Sequence, residues 1–390
     1  MATTAGPSSD SNYNIKNIQV DERSVEERAI DDWLPITSSR TAKWWYSSFH
    51  NVTAIVGAGV LSLPYAMSQL GWGPGVAVLV ISWIVTLYSL WQMVEMHEIA
   101  PGKRLDRYHE LGQHAFGQKL GLWIVVPQQL IVEVGVDIVY MITGGQSLKK
   151  FHDLVCQDCK DIRLTYFIMI FASVHFILSQ LPSFNSISGV SLAAAVMSVS
   201  YSAIAWGASV DKGVQPDVQY GYKPGSTADT VFDFFSALGI VVFAYGGHNV
   251  EMEIQATMPS TPEIPSKVYA MAVFDMMETL LVKKLKFRPT WRLRFISRST
   301  YVAFTMFIAI TFPFFNGLLA FFGGFAFAPT TYFLPCILWL AICKPRRFSL
   351  SWFTNWVCII FGVLLMIAGP IGGLRQIILQ AKTYKIYGST

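Results

Sequence analysis

The chain has 390 residues, 53% of them apolar, 14% charged and 14% aromatic, with a mean hydropathy of +0.42. A soluble domain carries about 25% charged residues, so this composition excludes an ordinary water-soluble enzyme or a nucleic-acid-binding module and makes lipid the natural solvent. The net charge of +4 is small, and its distribution is more informative than its size.

Residues 1–40 are polar and contain no apolar core of the kind a secretory signal needs. They read as a disordered or frayed tail with at most a short amphipathic turn at 25–30. The first membrane span is then its own insertion signal. A hydrocarbon core of about 30 Å needs about 20 apolar residues per helix. Nine stretches qualify: 46–70, 74–96, 122–144, 164–181, 187–208, 231–255, 300–322, 325–342 and 353–374. Backbone crossing lipid must satisfy its own hydrogen bonds, and the alternation of a membrane β-barrel is absent, so all nine read as helices.

All 29 Lys and Arg residues fall outside those nine stretches. Threaded from an inside N-terminus, the inner segments hold 20 of them and the outer segments 9. That bias follows the positive-inside rule and puts the N-terminus in the cytoplasm and the C-terminus outside. Residues 268–281 are apolar but too few to span, and they include Asp275 and Glu278. They read as a half-helix or an amphipathic segment on the inner leaflet, followed by a basic run at 283–288 suited to anionic headgroups.

Cys336, Cys343 and Cys358 lie in apolar runs and read as packing residues. Cys156 and Cys159 form one C-x-x-C pair in a polar loop, which signals a disulfide or plain solvent exposure more than a metal site. No metal, cofactor or nucleotide site is expected. The glycine-rich stretches have no strand before them and no βαβ context, and no nucleophile elbow or phosphate loop is present, so the chain does not read as an enzyme.

Two spans are interrupted. The first carries Gly57-Ala58-Gly59-Val60 and then Pro64, and the sixth carries Tyr245-Gly246-Gly247-His248-Asn249. A glycine costs a helix about 1 kcal/mol, and freed backbone groups are tolerated at membrane depth only beside a cavity. The alternative is that these glycines merely let helices pack closely. Close packing explains neither the proline nor the five-span separation, which is the spacing of two inverted five-helix repeats sharing a midplane site. The expected fold is therefore an all-α membrane transporter of inverted-repeat type with broken first helices. A zwitterionic amino acid suits such a site. N–H groups freed at Gly57, Ala58, Gly59 and Val60 hold its carboxylate, and Tyr245, Gly246, Gly247, His248 and Asn249 complete the site.

Ionisable side chains inside apolar runs are functional candidates by default. Glu133 and Asp137 lie one turn apart on the third span, and Glu251 and Glu253 follow the sixth-span break. Glu133, Glu251 and His248 are the proton-coupling candidates, whereas Asp233 and Glu253 read as interfacial. For His248 a ring satisfied by neighbouring carbonyls is an equal alternative.

Several segments resemble the plant lysine/histidine transporter group of the amino acid/auxin permease family. They are DWLPITSSRTAKWWYSSFHNVTAIVGAGVLSLPYAMSQLGWGPG at 32–75, WQMVEMHEIAPGKRLDRYHELGQHAFG at 91–117, PQQLIVEVG at 127–135, FAYGGHNVEMEIQATMPSTPE at 243–263 and FFGGFAFAPTTYFLPC at 321–336. The resemblance covers the chain from about residue 31 onward. It implies proton-coupled uptake of amino acids (neutral, basic or acidic) across the plasma membrane, driven by the proton gradient and without a cofactor. The pattern it follows has eleven spans. Here Pro259-Ser260-Thr261-Pro262 runs almost directly into Tyr269-Ala270-Met271, so the seventh span and most of the eighth are expected to be missing. Asp137 is a smaller departure, standing where the group has a small uncharged residue. An even number of lost spans preserves the orientation of everything downstream, but the site loses a wall.

The expected organisation is a cytoplasmic tail at 1–43, a first repeat at 44–210, an incomplete second repeat at 229–343, an extra span at 353–374 and an outer tail at 375–390. The leading function is a proton-coupled amino-acid symporter. The alternatives are a transport-incompetent shortened variant that associates with full-length relatives, and a carrier of another organic anion such as auxin. Substrate range and oligomeric state are not legible in the sequence.

Overall fold

The computed structural model describes residues 33, 53, 57–101, 104–157, 159–181, 188–216, 218, 227–256, 281–282 and 286–384. The N-terminal tail, the first part of the first span, the 268–281 segment apart from its last residue and residues 283–285 of the basic run lie outside them. Every regular element among the described residues is helical. In chain order these are α1 (Ala58–Leu61), α2 (Leu63–Leu70), α3 (Trp72–Met96), α4 (Tyr108–Phe116), α5 (Gln118–Val155), α6 (Leu164–Ser179) and α7 (Ser188–Lys212). Then come α8 (Thr227–Ala244), a 3₁₀ turn (His248–Val250), α9 (Glu251–Ala256), α10 (Trp291–Thr311) and α11 (Phe315–Phe322). A π-helical segment (Gly323–Phe333), α12 (Leu334–Cys343) and α13 (Leu350–Thr383) complete the series.

Seven helical runs are long and apolar enough to cross a membrane, among them 228–250 and a continuous run from 315 to 343. Leu164–Ser179 is a shorter apolar helix, and 58–70 is the described portion of the first span. The helices outrun the apolar windows of the sequence. At 1.5 Å per residue, α5 is about 57 Å long, so its last turns, with Lys149 and Lys150, pass beyond a core of about 30 Å. There Cys156 and Cys159 are joined by a disulfide, with Cα atoms 5.4 Å apart.

The core forms around α8. Ala237, Ile240, Val241 and Val242 are fully buried, and glycines let neighbouring backbones approach closely. Gly239 lies against the Ala320 carbonyl, Gly323 against the Gly239 carbonyl, and Gly372 against the backbone of Phe235 and Ser236. This is why α8, α11, the π segment and α13 hold together where lipid offers no hydrophobic driving force between helices.

Three expectations are corrected. The boundary between windows 300–322 and 325–342 does not fall at Gly323-Gly324. The chain turns at Phe312-Pro313-Phe314 instead, ending α10 at Thr311, and runs helically through both glycines. Pro313 has no N–H to continue a helix, and it drives Phe312 to φ −129°, ψ 70°. The glycines serve close approach, Gly324 to Gly369 and Pro370 of α13. Second, the basic residues are not all outside the spans. Arg298 is buried within α10 and donates from Nη1 to the carbonyls of Ser179 (2.7 Å) and Leu181 (2.8 Å), capping the end of α6. Third, Glu253 is not an exposed surface group; it is buried in the polar network described below.

The fifth span stands apart. Only 11% of the most apolar stretch of α7 is buried, against 61% for the 315–343 run.

Candidate functional site

The two breaks adjoin. Gly57 is in extended backbone (φ −124°, ψ −148°) and α1 starts immediately after it, with Val60 N–H bonded to Gly57 O at 3.2 Å. A Cβ on Gly59 would stand 2.6 Å from the Ala244 Cα, two residues before Gly246. The first break is thus packed onto the end of α8, backbone to backbone. The direction in which a Gly59 side chain would point is filled by Phe243 and Ala244, so this glycine serves close approach rather than leaving a space for ligand. Gly57 faces the Tyr140 hydroxyl, and Gly246 faces the Phe327 ring, which itself sits 4.8 Å from the ring of Phe243. Val60 and Tyr245 are half-buried; of Ala58 only the backbone is described.

At the sixth-span break the helical ladder tightens and then stops. Tyr245 N–H still reaches Val241 O, Gly246 N–H reaches Phe243 O only three residues back, and the chain resumes with Val250 N–H on Gly247 O. His248 and Asn249 then point into the bundle, both buried. The His248 Nε2 lies 3.0 Å from Ser89 Oγ on α3. The Ser89 hydroxyl also lies within hydrogen-bond reach of the Val85 (2.8 Å) and Thr86 (3.1 Å) carbonyls. The ring also bonds to the Thr86 backbone, so His248 is held both by a serine and by a neighbouring carbonyl.

Asn249 is the hub of the polar network. Its Nδ2 donates to Glu133 Oε1 at 2.8 Å, and its backbone carbonyl accepts from Gln129 Nε2 at 2.7 Å. The same Gln129 amide donates to Glu253 Oε1 at 3.0 Å, which also accepts from Tyr108 N–H at 3.4 Å. Gln129, Glu133 and Asp137 recur every fourth residue, which puts them on one stripe of α5 facing the break. Asp137 lies beside the Tyr301 hydroxyl of α10. Glu253 is buried because α9 folds back over α3 and α4, with Met252 and Ala256 equally buried. For Glu251 the backbone opens α9, and its side chain lies outside the described atoms. Asp233 sits half-exposed in the second turn of α8, remote in sequence from the break.

Gln129, Ser89 and Tyr108 were not singled out in the sequence. Gln129 was the findable one, a polar residue one turn before Glu133 inside an otherwise apolar run.

The family described as transmembrane amino acid transporter protein matches residues 40–269 and 264–375, two stretches that meet at 264–269. Lysine histidine transporter-like 1 of Arabidopsis thaliana is 62% identical over 425 aligned positions, covering 93% of this chain and 94% of that relative. Because 93% of 390 residues is about 363, about 62 of those 425 positions hold a residue in the relative and none here. Lysine histidine transporter-like 3 is 53% identical over 438 positions and GABA transporter 1 is 27% identical over 437, both from the same plant. These relatives and the helical, lipid-suited bundle identify a multi-pass membrane transporter and not an enzyme. The chain belongs to the transmembrane amino acid transporter family.

Proposed function

We propose that this chain is a proton-coupled amino-acid symporter of the plasma membrane, built on two inverted repeats around the paired breaks. The observation that carries the reading is the 2.8 Å bond from Asn249 to Glu133, which ties the sixth-span break directly to a buried carboxylate. The names of the relatives, amino-acid transporters, supply the substrate class. In this reading the substrate carboxylate lies at the N–H groups opening α1, and the ammonium group lies at the carbonyls of 245–249. An ionised Glu133 accepts from Asn249 and holds the break. A proton on Glu133 weakens that acceptor and lets Asn249, with the Gln129 amide on its carbonyl, rearrange. In this reading the N-terminus is cytoplasmic, which the distribution of basic residues supports.

A second reading is favoured by two specific observations. The two family-matched stretches meet at 264–269, and α7 is barely buried. This supports a chain that has lost two spans at the seam and with them a wall of the site, leaving it transport-impaired and acting, if at all, through association with complete relatives. Uptake of radiolabelled amino acids in transporter-deficient cells separates the two, with this chain compared to one carrying two spans inserted at the seam. The symporter reading expects uptake by both that collapses with the pH gradient. Uptake by the restored chain alone supports the shortened reading, and uptake indifferent to the gradient contradicts proton coupling.

A further inference from the structure

The connection between α3 and α5 touches the polar network through the Tyr108 N–H and carries a hydrophobic cluster separate from the main core. Met96 of α3, Leu105 and Tyr108 of the connection and α4, Val125 of α5, Met252 of α9 and Leu338 of α12 meet there, all buried. The connection is built to hold this position. Leu105 N–H bonds back to His97 O at 2.9 Å, and the buried His97 ring lies 3.3 Å from the Asp106 carboxylate. Glu110, in the first turn of α4, accepts from Asp106 N–H at 3.1 Å in the manner of a capping residue. Gly117, at φ +84°, ends the helix in backbone that other residues rarely adopt.

Tyr108, with no exposed surface, joins the two elements that flank the break. Its N–H bonds to Glu253 on α9, and its hydroxyl donates to the Thr330 carbonyl in the π segment at 3.0 Å. The sequence explains why that carbonyl takes a tyrosine. In the π pattern each N–H reaches five residues back, as Leu334 does to Pro329. The next donor in the series is residue 335, a proline with no N–H, so the Thr330 carbonyl lacks the donor this pattern would give it. The hydroxyl of Tyr108 supplies one.

We infer that Tyr108 is a latch that closes this end of the bundle, fastening the second half of the broken sixth span to the π segment. Access to the site from that end requires both of its bonds to break. The inference rests on the transport reading only for what passes the gate; the latch itself does not depend on it.

The test is thiol accessibility in the purified full chain in lipid nanodiscs, which needs neither transport nor sidedness. Met252→Cys is introduced with Cys336, Cys343 and Cys358 replaced by Ala and the Cys156–Cys159 disulfide left intact. A membrane-impermeant maleimide reports how often the cluster opens. With Tyr108 present, labelling should be slow. Tyr108→Phe removes one hydrogen bond and should raise the rate about fivefold. Tyr108→Ala should raise it at least about tenfold. Ala320→Cys in the main core serves as control and should stay unlabelled throughout. If Tyr108→Ala exposes that control, the chain has lost its fold and the Phe variant decides. An unchanged rate in Tyr108→Phe with the control protected would overturn the latch. Finally, a mixture of protein amino acids should change the labelling rate of the unlatched and latched chains. No change there, with the Tyr108 effects intact, leaves the latch standing and counts against the transport reading.

Discussion

Two apolar spans of this protein have similar hydropathy and opposite fates. The 315–343 run and the helix at 189–212 have mean hydropathies of 1.7 and 1.4, yet 61% of the first and 11% of the second are buried. Hydropathy gets both into lipid; it does not pack them. Packing comes from small residues that find a partner. Gly317, Gly323 and Gly324 each meet a neighbouring helix, whereas among the described residues nothing lies within 4 Å of where a side chain would begin on Gly189 or Gly207 of α7. So weakly buried a helix accords with our reading of the seam at 264–269.

The largest expected effect breaks the comparison at its tight end. Gly239→Leu drives a side chain into the Ala320 carbonyl and should destabilise the detergent-solubilised protein by about 3 kcal/mol or more, read by thermal unfolding. Gly207→Leu, at the loose end, should change stability by less than about 1 kcal/mol in this chain. In a chain with two spans restored at the seam it should become clearly destabilising. A neutral outcome there would mean that the restored spans do not pack on α7.

Arg298→Ala is next. It removes two charge-assisted bonds from buried carbonyls at the end of α6, so a loss of about 2–3 kcal/mol is expected in the same measurement. A smaller effect is expected at the break. Asn249→Ala leaves Glu133 without that donor and should cost about 1–3 kcal/mol. Asn249→Asp sets a second carboxylate against Glu133, and Glu133→Gln in the same chain should recover most of the loss, because an amide and a carboxylate can again pair. Absence of recovery would show that the two side chains are not coupled. Smallest of all, Arg375→Ala removes a partly exposed pair with Asp229 and should cost less than about 1 kcal/mol.

Much of this was legible in the sequence, for physical reasons that also mark where legibility ends. The breaks were readable because glycine runs amid apolar residues have few explanations in lipid. Whether a given glycine is a turn or a contact is not local information. The expected windows were divided at Gly323-Gly324, and the role of these glycines depends on Gly239, Gly369 and Pro370, far away in the chain. Pro313 was the better local signal, since a missing N–H acts without any partner. The misplacement of Glu253 has the same origin. That α9 folds inward is decided by Tyr108 and Gln129, and no periodicity within α9 records it. Gln129 itself was within reach, one turn from a carboxylate that was noticed.

The central claim is that the two adjoining breaks form one amino-acid site. It is tested most directly by an experimental structure of the span-restored protein determined with a bound amino acid. The account predicts ligand density between residues 57–60 and 245–249, with the α-carboxylate at the start of α1 and Asn249 still bonded to Glu133. Density elsewhere, or a sixth span running as an unbroken helix through Gly246 and Gly247, would contradict it.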